Sequence, residues 1–90
     1  MPPITLYTMG HCPYCARAKA LLKRKGVSDW TEFDLEQVPE KRTEMELRSG
    51  GRRTVPQIFI GDTHVGGSDD IHKLDAAGGL DRLLAVAGPG

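Results

Sequence analysis

The chain carries only two cysteines, which stand three residues apart in the run Cys-Pro-Tyr-Cys at residues 12–15. A β-branched and aromatic run at residues 4–8 ends just before them and predicts a strand. Pro13 suits the first turn of a helix, where its missing N–H leaves no hydrogen bond unmade. The sequence therefore predicts a turn from strand to helix with both sulfurs at the helix start, an arrangement that favours an α/β fold.

The rest of the chain continues this alternation of strand and helix patterns. Strands are predicted at four short runs, namely residues 4–8, 30–35, 57–60 and 64–65. Helices are predicted at residues 12–26, 39–48 and 68–84, the last with a break at residues 78–79. The last two strands are close enough in sequence to form an antiparallel hairpin. This order predicts a small mixed sheet with helices on its faces.

Local signals give further detail for the later helices. Ser68 is a good N-cap for the last helix, and the two aspartates that follow it suit the positive end of the helix dipole. Met45 and Leu47 are expected to form the apolar side of the middle helix. The tail, residues 88–90, is expected to fray.

Length and composition predict one globular domain over residues 1–90, because the 90 residues leave no room for a second. Twelve basic and twelve acidic side chains cancel, which argues against a surface for nucleic acid or anionic membrane. The chain has no apolar run of about 18 residues and no signal-peptide pattern at its start. We therefore expect a cytoplasmic protein, for which two close cysteines are more typical of catalysis or metal binding than of a structural disulfide.

Charge is distributed unevenly along the chain. Residues 12–25 contain five basic side chains and no acidic one, whereas residues 28–49 contain seven acidic side chains and three basic ones. Either the first helix brings a positive field to the cysteines, or it simply has a solvated basic face.

The position of Cys12 at a helix start predicts a reactive sulfur. Backbone N–H groups and the helix dipole stabilise a thiolate there, and such motifs lower the pKa of a thiol from about 8.5 into the range of about 3.5 to 7.5. Cys12 is therefore expected to be the nucleophile. Cys15 lies one turn further on and is expected to resolve the mixed disulfide that Cys12 forms.

Two other interpretations of the cysteine pair compete with redox chemistry. A structural zinc site needs four ligands, but the chain has no second Cys-x-x-Cys run and offers only the imidazoles of His11, His64 and His72. The pair could also be buried and inert. We expect no metal site.

Three runs, in order and suitably spaced, resemble the dithiol glutaredoxins of the thioredoxin superfamily, close to the small bacterial type. They are residues 7–15 with Tyr-Thr and Cys-Pro-Tyr-Cys, residues 54–60 with Thr-Val-Pro-Gln-Ile-Phe-Ile, and residues 66–70 with Gly-Gly-Ser-Asp-Asp. The resemblance implies a thioredoxin-like fold, with a four-stranded mixed sheet flanked by helices. It also implies glutathione-dependent exchange of thiols and disulfides.

The resemblance implies that Pro56 follows a cis peptide bond beside the cysteines. The loop of Thr54 and Val55 then offers backbone N–H and C=O groups to the cysteinyl part of glutathione, as an exposed backbone edge pairs with an extended peptide. Without the resemblance, Thr54, Val55 and Pro56 would indicate only an ordinary turn before a strand. Tyr14 either packs its ring beside the sulfurs and glutathione or covers the helix start.

The run at residues 66–70 resembles the family's site for the γ-glutamyl end of glutathione. After Gly67, the backbone N–H groups of Ser68 and Asp69 are expected to bind the α-carboxylate, and Asp70 to pair with the ammonium group. Without the resemblance, this run would indicate only a capped helix start.

Two positions depart from the family pattern. Met9 stands where many members have a lysine that pairs with the glycyl carboxylate of glutathione. Arg42, Arg52 or Arg53 can replace that cation, because guanidinium binds carboxylate in a bidentate manner. Ser68 stands where many relatives have a further cysteine, so one thiol open to oxidation is missing.

The expected partners are glutathione as co-substrate and proteins that carry disulfides or glutathione adducts. No tightly bound cofactor is expected, and the protein is expected to be a monomer. Two alternatives remain open: a redoxin reduced by a thioredoxin-reductase-type flavoprotein, and a dimeric carrier whose iron–sulfur cluster is held by Cys12 and glutathione thiolates.

Overall fold

The computed structural model describes residues 2–85. The strands are β1 (Ile4–Thr8), β2 (Thr31–Asp34), β3 (Gln57–Ile60) and β4 (Thr63–Gly66), and the helices are α1 (Pro13–Arg24), α2 (Lys41–Arg48), α3 (Ser68–Ala76) and α4 (Gly79–Ala85). The strands form one sheet in the order β2-β1-β3-β4. Strand β1 is parallel to β2 and antiparallel to β3, and β3 and β4 form the predicted antiparallel hairpin. The predicted mixed sheet flanked by helices is confirmed.

The strand pairing decides where the cysteine run and the loop at residues 54–56 meet. Because β1 and β3 run in opposite directions, the end of β1 lies beside the start of β3, and Tyr7 pairs with Gln57. The chain leaves β1 towards Cys12 and enters β3 from the loop at residues 54–56. The cysteines and this loop are therefore brought to the same edge of the sheet, although about forty residues separate them.

The two faces of the sheet bury different sets of side chains. Successive residues of a strand point to opposite faces, so Leu6 and Tyr7 belong to different clusters. On one face, Leu6 and Ile58 pack with apolar residues of α1, α3 and α4. On the other face, Tyr7 and Phe59 pack with Met45 of α2. Helix α1 is therefore anchored on one face while its first turn reaches the edge of the sheet.

Several predicted boundaries shift by a few residues. Helix α1 ends at Arg24 rather than near residue 26, and α2 begins at Lys41 rather than at residue 39. Strand β2 is shorter than predicted and β4 is longer. The predicted break between the last two helices is confirmed, and the tail at residues 88–90 lies outside the described residues. Within the described part, no helix has the length and hydropathy of a transmembrane span.

The prediction for Leu47 is wrong, because its side chain is 79% exposed while Met45 is fully buried. Residues two apart on a helix are about 200° apart around its axis, so they cannot both face the sheet. Met45 occupies the buried side of α2, and Leu47 is left in solvent.

Candidate active site

Cys12 is the N-cap of α1, as the sequence predicts. Its backbone is extended, and its Sγ atom accepts a hydrogen bond from the backbone N–H of Cys15 at 3.1 Å. The first turn of α1 contains no acidic residue. A negative charge on this sulfur therefore gains a backbone donor and the positive end of the helix dipole, with no carboxylate in the first turn to oppose it.

The two cysteines differ in exposure. They form a disulfide with a Cα–Cα distance of 5.1 Å. The Cys12 residue is half-buried, whereas Cys15 is only 2% exposed. An incoming disulfide can therefore reach Cys12, while Cys15 is placed to react with the sulfur of Cys12. Within residues 2–85, no three His, Cys, Asp or Glu side chains form a cluster that could hold a metal ion.

The loop before β3 lies against Cys12. The peptide bond between Val55 and Pro56 is cis, as the resemblance implies. The carbonyl oxygen of Val55 lies 3.8 Å from Cys12 Sγ. The backbone of this loop is thus beside the reactive sulfur, where it can pair with a peptide attached there.

A buried network holds this loop from behind. Gln57 is fully buried, and its Nε2 atom donates to the carbonyl oxygen of Thr54 at 3.0 Å and to the Thr54 hydroxyl at 3.2 Å. His64 Nε2 lies 2.7 Å from Gln57 Oε1, and its ring stacks on Phe59 with a centroid distance of 4.9 Å. Burial, followed by the charge of Arg52, lowers the pKa of His64 and favours the neutral ring. The sequence offered no partner for this histidine, whose role depends on the hairpin register that sets it opposite Phe59.

The start of α3 differs from the prediction by one residue. Gly67, not Ser68, is the N-cap, and Ser68 is the first residue of the helix. The carboxylate of Asp70 accepts the backbone N–H of Gly67 at 2.8 Å, so the cap is made by a side chain three residues later. The backbone N–H groups of the first helical turn, which include those of Ser68 and Asp69, are the ones that a helix leaves without intrahelical partners.

Asp70 also forms an ion pair with Arg52, at 3.0 Å between Oδ2 and Nη1. The hydrogen bond from Gly67, followed by Arg52, lowers the pKa of this carboxyl below its ordinary value of 3.8. Among residues 2–85, both contacts are made by Oδ2, and Oδ1 has no hydrogen-bond partner. Asp70 is therefore an anion with one oxygen still open to a ligand.

Gly66 allows this arrangement because its φ is +112°, in a region that L side chains rarely adopt. A Cβ atom at this position would lie 2.8 Å from Asp70 Cγ and 2.9 Å from Arg52 Nη1. A side chain here would therefore push apart the ion pair that closes this end of the site.

The structure brings the predicted binding residues together in one groove, which we call the cis-proline groove. It is lined by Tyr14, Arg52, Thr54, Val55, Pro56, Gly67, Ser68, Asp69 and Asp70. Tyr14 is 55% exposed, with the Arg17 guanidinium 5.7 Å from the centre of its ring. Arg52 is the one lining residue that the sequence left among three alternatives. The groove combines exposed backbone, a helix N-terminus and charges of both signs.

The structure also separates the three arginines proposed to replace the family lysine. Arg42 Nη2 lies 3.9 Å from Met9 Sδ, and Nη1 donates to the Arg53 carbonyl oxygen at 3.1 Å. Arg52 lies at the other end of the site with Asp70. The Arg53 side chain is 77% exposed, and its Nε is 3.7 Å from Glu46. Arg42 is therefore the cation beside the position of Met9.

Helix α2, which carries Arg42, is fixed to the sheet by a buried hydroxyl. The Tyr7 hydroxyl donates to Glu44 and accepts from Arg48 Nη1 at 2.9 Å. Burial is the main cause that raises the pKa of Tyr7 above 10.0, so this group stays a neutral donor. A hydrogen-bonded buried tyrosine thus fixes α2, and with it Arg42, against the sheet.

Comparisons with known proteins identify the family of this chain. A family model described as glutaredoxin matches residues 4–65. The chain is 56% identical over 86 residues to a glutaredoxin of Pseudomonas aeruginosa, an alignment that covers 96% of this chain and 100% of that protein.

Solved structures agree as well. The solution structure of glutaredoxin from Brucella melitensis matches with a TM-score of 0.78 at 56% identity, over 93% of this chain and 89% of that one. The crystal structure of a buckwheat glutaredoxin–glutathione complex matches with a TM-score of 0.82 at 29% identity, over 92% of this chain and 76% of that one. With two cysteines at disulfide distance, these matches support thiol–disulfide oxidoreductase activity. This chain belongs to the glutaredoxin family.

Proposed function

We propose that residues 1–90 form a single domain that uses glutathione to reduce protein disulfides and glutathione mixed disulfides. The observation that carries this proposal is the cis-proline groove, which joins a loop beside Cys12 to a helix N-terminus with a charged end. A matching fold binds glutathione in the buckwheat complex. We further propose that the protein acts as a monomer and needs no tightly bound cofactor. It would work where reduced glutathione is abundant, as in the cytoplasm.

The proposed reaction is a series of thiol–disulfide exchanges. The Cys12 thiolate attacks one sulfur of the substrate disulfide, forms a mixed disulfide and releases the other sulfur as a thiolate, which takes a proton from water. Cys15 then loses its proton to solvent and attacks the Cys12 sulfur, which forms the Cys12–Cys15 disulfide and releases the second substrate thiol. The substrate gains two electrons from the enzyme and two protons from solvent, and Cys15 releases one proton to solvent, because Cys12 reacts as a thiolate that carries no proton.

Two glutathione molecules return the enzyme to its reduced form. The first thiolate attacks Cys12, forms a Cys12–glutathione disulfide and frees Cys15 as a thiolate that is then protonated. The second attacks the sulfur of the bound glutathione, which releases oxidised glutathione and the Cys12 thiolate. The same Cys12–glutathione adduct forms directly when the substrate is a glutathione mixed disulfide, and Cys15 is then not needed.

The cis-proline groove offers matching groups for the cysteinyl and γ-glutamyl parts of the tripeptide, and Arg42, outside its lining and beside Met9, offers one for the glycyl part. The Val55 backbone would pair with the cysteinyl residue, because its carbonyl lies beside Cys12. The N–H groups of Ser68 and Asp69 would bind the γ-glutamyl carboxylate, and the free oxygen of Asp70 would accept its ammonium group. Arg42 would bind the glycyl carboxylate in place of the family lysine.

The role of Arg42 gives a specific prediction. We expect Arg42→Ala to raise the KM for glutathione about three- to tenfold, because it removes one charge-assisted contact at a half-buried position. Steady-state kinetics with a fixed small disulfide measure this change. Arg53→Ala is the matched control, since it removes the same charge from a neighbouring side chain that points towards Glu46. Equal effects of the two substitutions would contradict the assignment to Arg42.

The proposed use of glutathione is tested with the Cys15→Ser variant. When this variant is mixed with oxidised glutathione, we expect mass spectrometry to show one glutathione per protein, located on Cys12 by peptide mapping. Without Cys15 the adduct cannot be released as an internal disulfide, so it should accumulate. If the variant stayed unmodified while a flavoprotein reductase sustained turnover of the wild-type protein, the alternative of a reductase-dependent redoxin would hold instead.

A further inference from the structure

A second groove borders the reactive sulfurs, and the proposed function uses only its near end, at the two cysteines and beside Met9. It begins at Cys12 and Cys15 and continues along the exposed side of α1 past Ala16 and Ala20 to Lys19 and Lys23. We call it the α1 groove. It shares no residue with the cis-proline groove, yet the two are adjacent, because Val55 of the first groove contacts Cys12 of the second. A substrate attached to Cys12 can therefore extend into either one.

The charges of the two grooves differ. The described lining of the α1 groove contains two lysines and no carboxylate, whereas that of the cis-proline groove contains Asp69 and Asp70 together with Arg52. Lys19 is neutralised by Glu32, with Nζ 2.7 Å from Oε2. Lys23 is exposed and has no ion pair among residues 2–85. The far end of the α1 groove therefore carries one available positive charge.

We propose that the α1 groove docks the polypeptide of a protein disulfide substrate, and that Lys23 selects substrates with an acidic residue near the target cysteine. This inference deepens the proposed function and rests on the attack of Cys12 on a protein disulfide, but not on glutathione. An acidic segment complements the unpaired lysine, whereas a basic one is repelled. The groove that starts at the dithiol thus adds selection among protein substrates.

The geometry also sets the spacing of that acidic residue. The Cys12 sulfur lies 3.1 Å from the backbone nitrogen of Cys15. Cys15 and Lys23 are eight helical residues apart, which corresponds to about 12 Å along the axis at 1.5 Å per residue. An extended peptide advances about 3.3 Å per residue. A substrate cysteine at the dithiol therefore brings the side chain three or four residues away to Lys23.

The test measures the first exchange step without glutathione. Peptides of about ten residues carry one cysteine as a mixed disulfide with thionitrobenzoate, and glutamate or lysine at the third and fourth positions on both sides. The Cys12 thiolate of the reduced protein attacks the peptide sulfur, forms a Cys12–peptide disulfide and releases coloured thionitrobenzoate. Stopped-flow absorbance gives the rate for each peptide.

We expect the wild-type protein to react about fivefold faster with the glutamate peptide than with the lysine peptide at low salt, and the ratio to approach one in about 0.5 M salt. In Lys23→Glu the preference should reverse. Arg24→Glu is the matched control, because it makes the same charge change one residue away, in a different depression with Arg17 and His72. It should keep the wild-type preference.

Each other outcome overturns the proposal. A wild-type ratio near one, or an unchanged ratio in Lys23→Glu, would show that Lys23 does not select the peptide. The same reversal in Arg24→Glu would show an effect of net charge rather than of the α1 groove. Release from none of the peptides would overturn the dithiol exchange itself, whereas failure of glutathione to sustain turnover would leave this result standing.

Discussion

Cys12→Ser is expected to lose all disulfide exchange, for both glutathione mixed disulfides and protein disulfides. The reaction needs a thiolate that can form and later break an S–S bond, and a serine hydroxyl can do neither. Cys12 is the only cysteine with substantial exposure, so Cys15 at 2% exposed cannot take its place. Turnover of a glutathionylated peptide, coupled to the reduction of oxidised glutathione, measures the loss.

Cys15→Ser is the matched variant for the same experiment. It should retain reduction of the glutathionylated peptide, because a second glutathione can resolve the adduct on Cys12. It should lose most reduction of a protein disulfide, which needs the second thiol of the pair. If Cys15→Ser were inactive on both substrates while Cys12→Ser retained activity, the roles of nucleophile and resolving thiol would have to be exchanged.

Asp70→Asn is expected to raise the KM for glutathione about tenfold or more, since a hydrogen bond to a charged partner is worth about 1.5 to 3 kcal/mol. The substitution keeps the size of the side chain but removes the charge that pairs with Arg52 and that we assign to the γ-glutamyl ammonium. Asp62→Asn, in the exposed turn between β3 and β4, is the matched control. A glutathione analogue without the α-amino group should bind the wild-type protein and Asp70→Asn with the same affinity. If it discriminated between them as glutathione does, the assignment to the ammonium would be wrong.

The same substitution should lower the free energy of unfolding by about 1 kcal/mol, because Asp70 also caps α3 through Gly67. The folded state lowers the pKa of this carboxyl below 3.8, so its charge stabilises the fold above that pH. This contribution is lost as the pH falls from 3.8 through the lower pKa of the folded state. Urea unfolding should therefore show a constant difference between wild type and variant from about pH 8 to 5, and a smaller difference in stronger acid.

Sequence patterns predicted those features of the molecule that depend only on residues adjacent in the sequence. Strand β1 was predicted with its observed bounds, because β-branched and aromatic residues favour a strand wherever the rest of the chain lies. The helix start at Cys12 followed from a proline in the next position. The three runs that resemble the family supplied the candidate binding residues, and the structure gathers them in one groove. The Ser68 cap failed by one residue because a carboxylate three positions later competes for the role.

Tertiary structure alone decided the contacts between residues far apart in sequence. The choice of Arg42 among three arginines rests on its approach to Met9, 33 residues away, and the support of Thr54 by Gln57 and His64 rests on the register of a hairpin. Local patterns carry the periodicity of an element and the residues at its ends, but not which face of one element meets another. The charge asymmetry of the first helix was visible in the sequence, yet only packing shows that Lys19 is neutralised and Lys23 is free of ion pairs within residues 2–85. The sequence by itself thus determined where the reactive sulfurs sit, and the fold decided which charges surround them, because such pairings form only when distant segments are packed together.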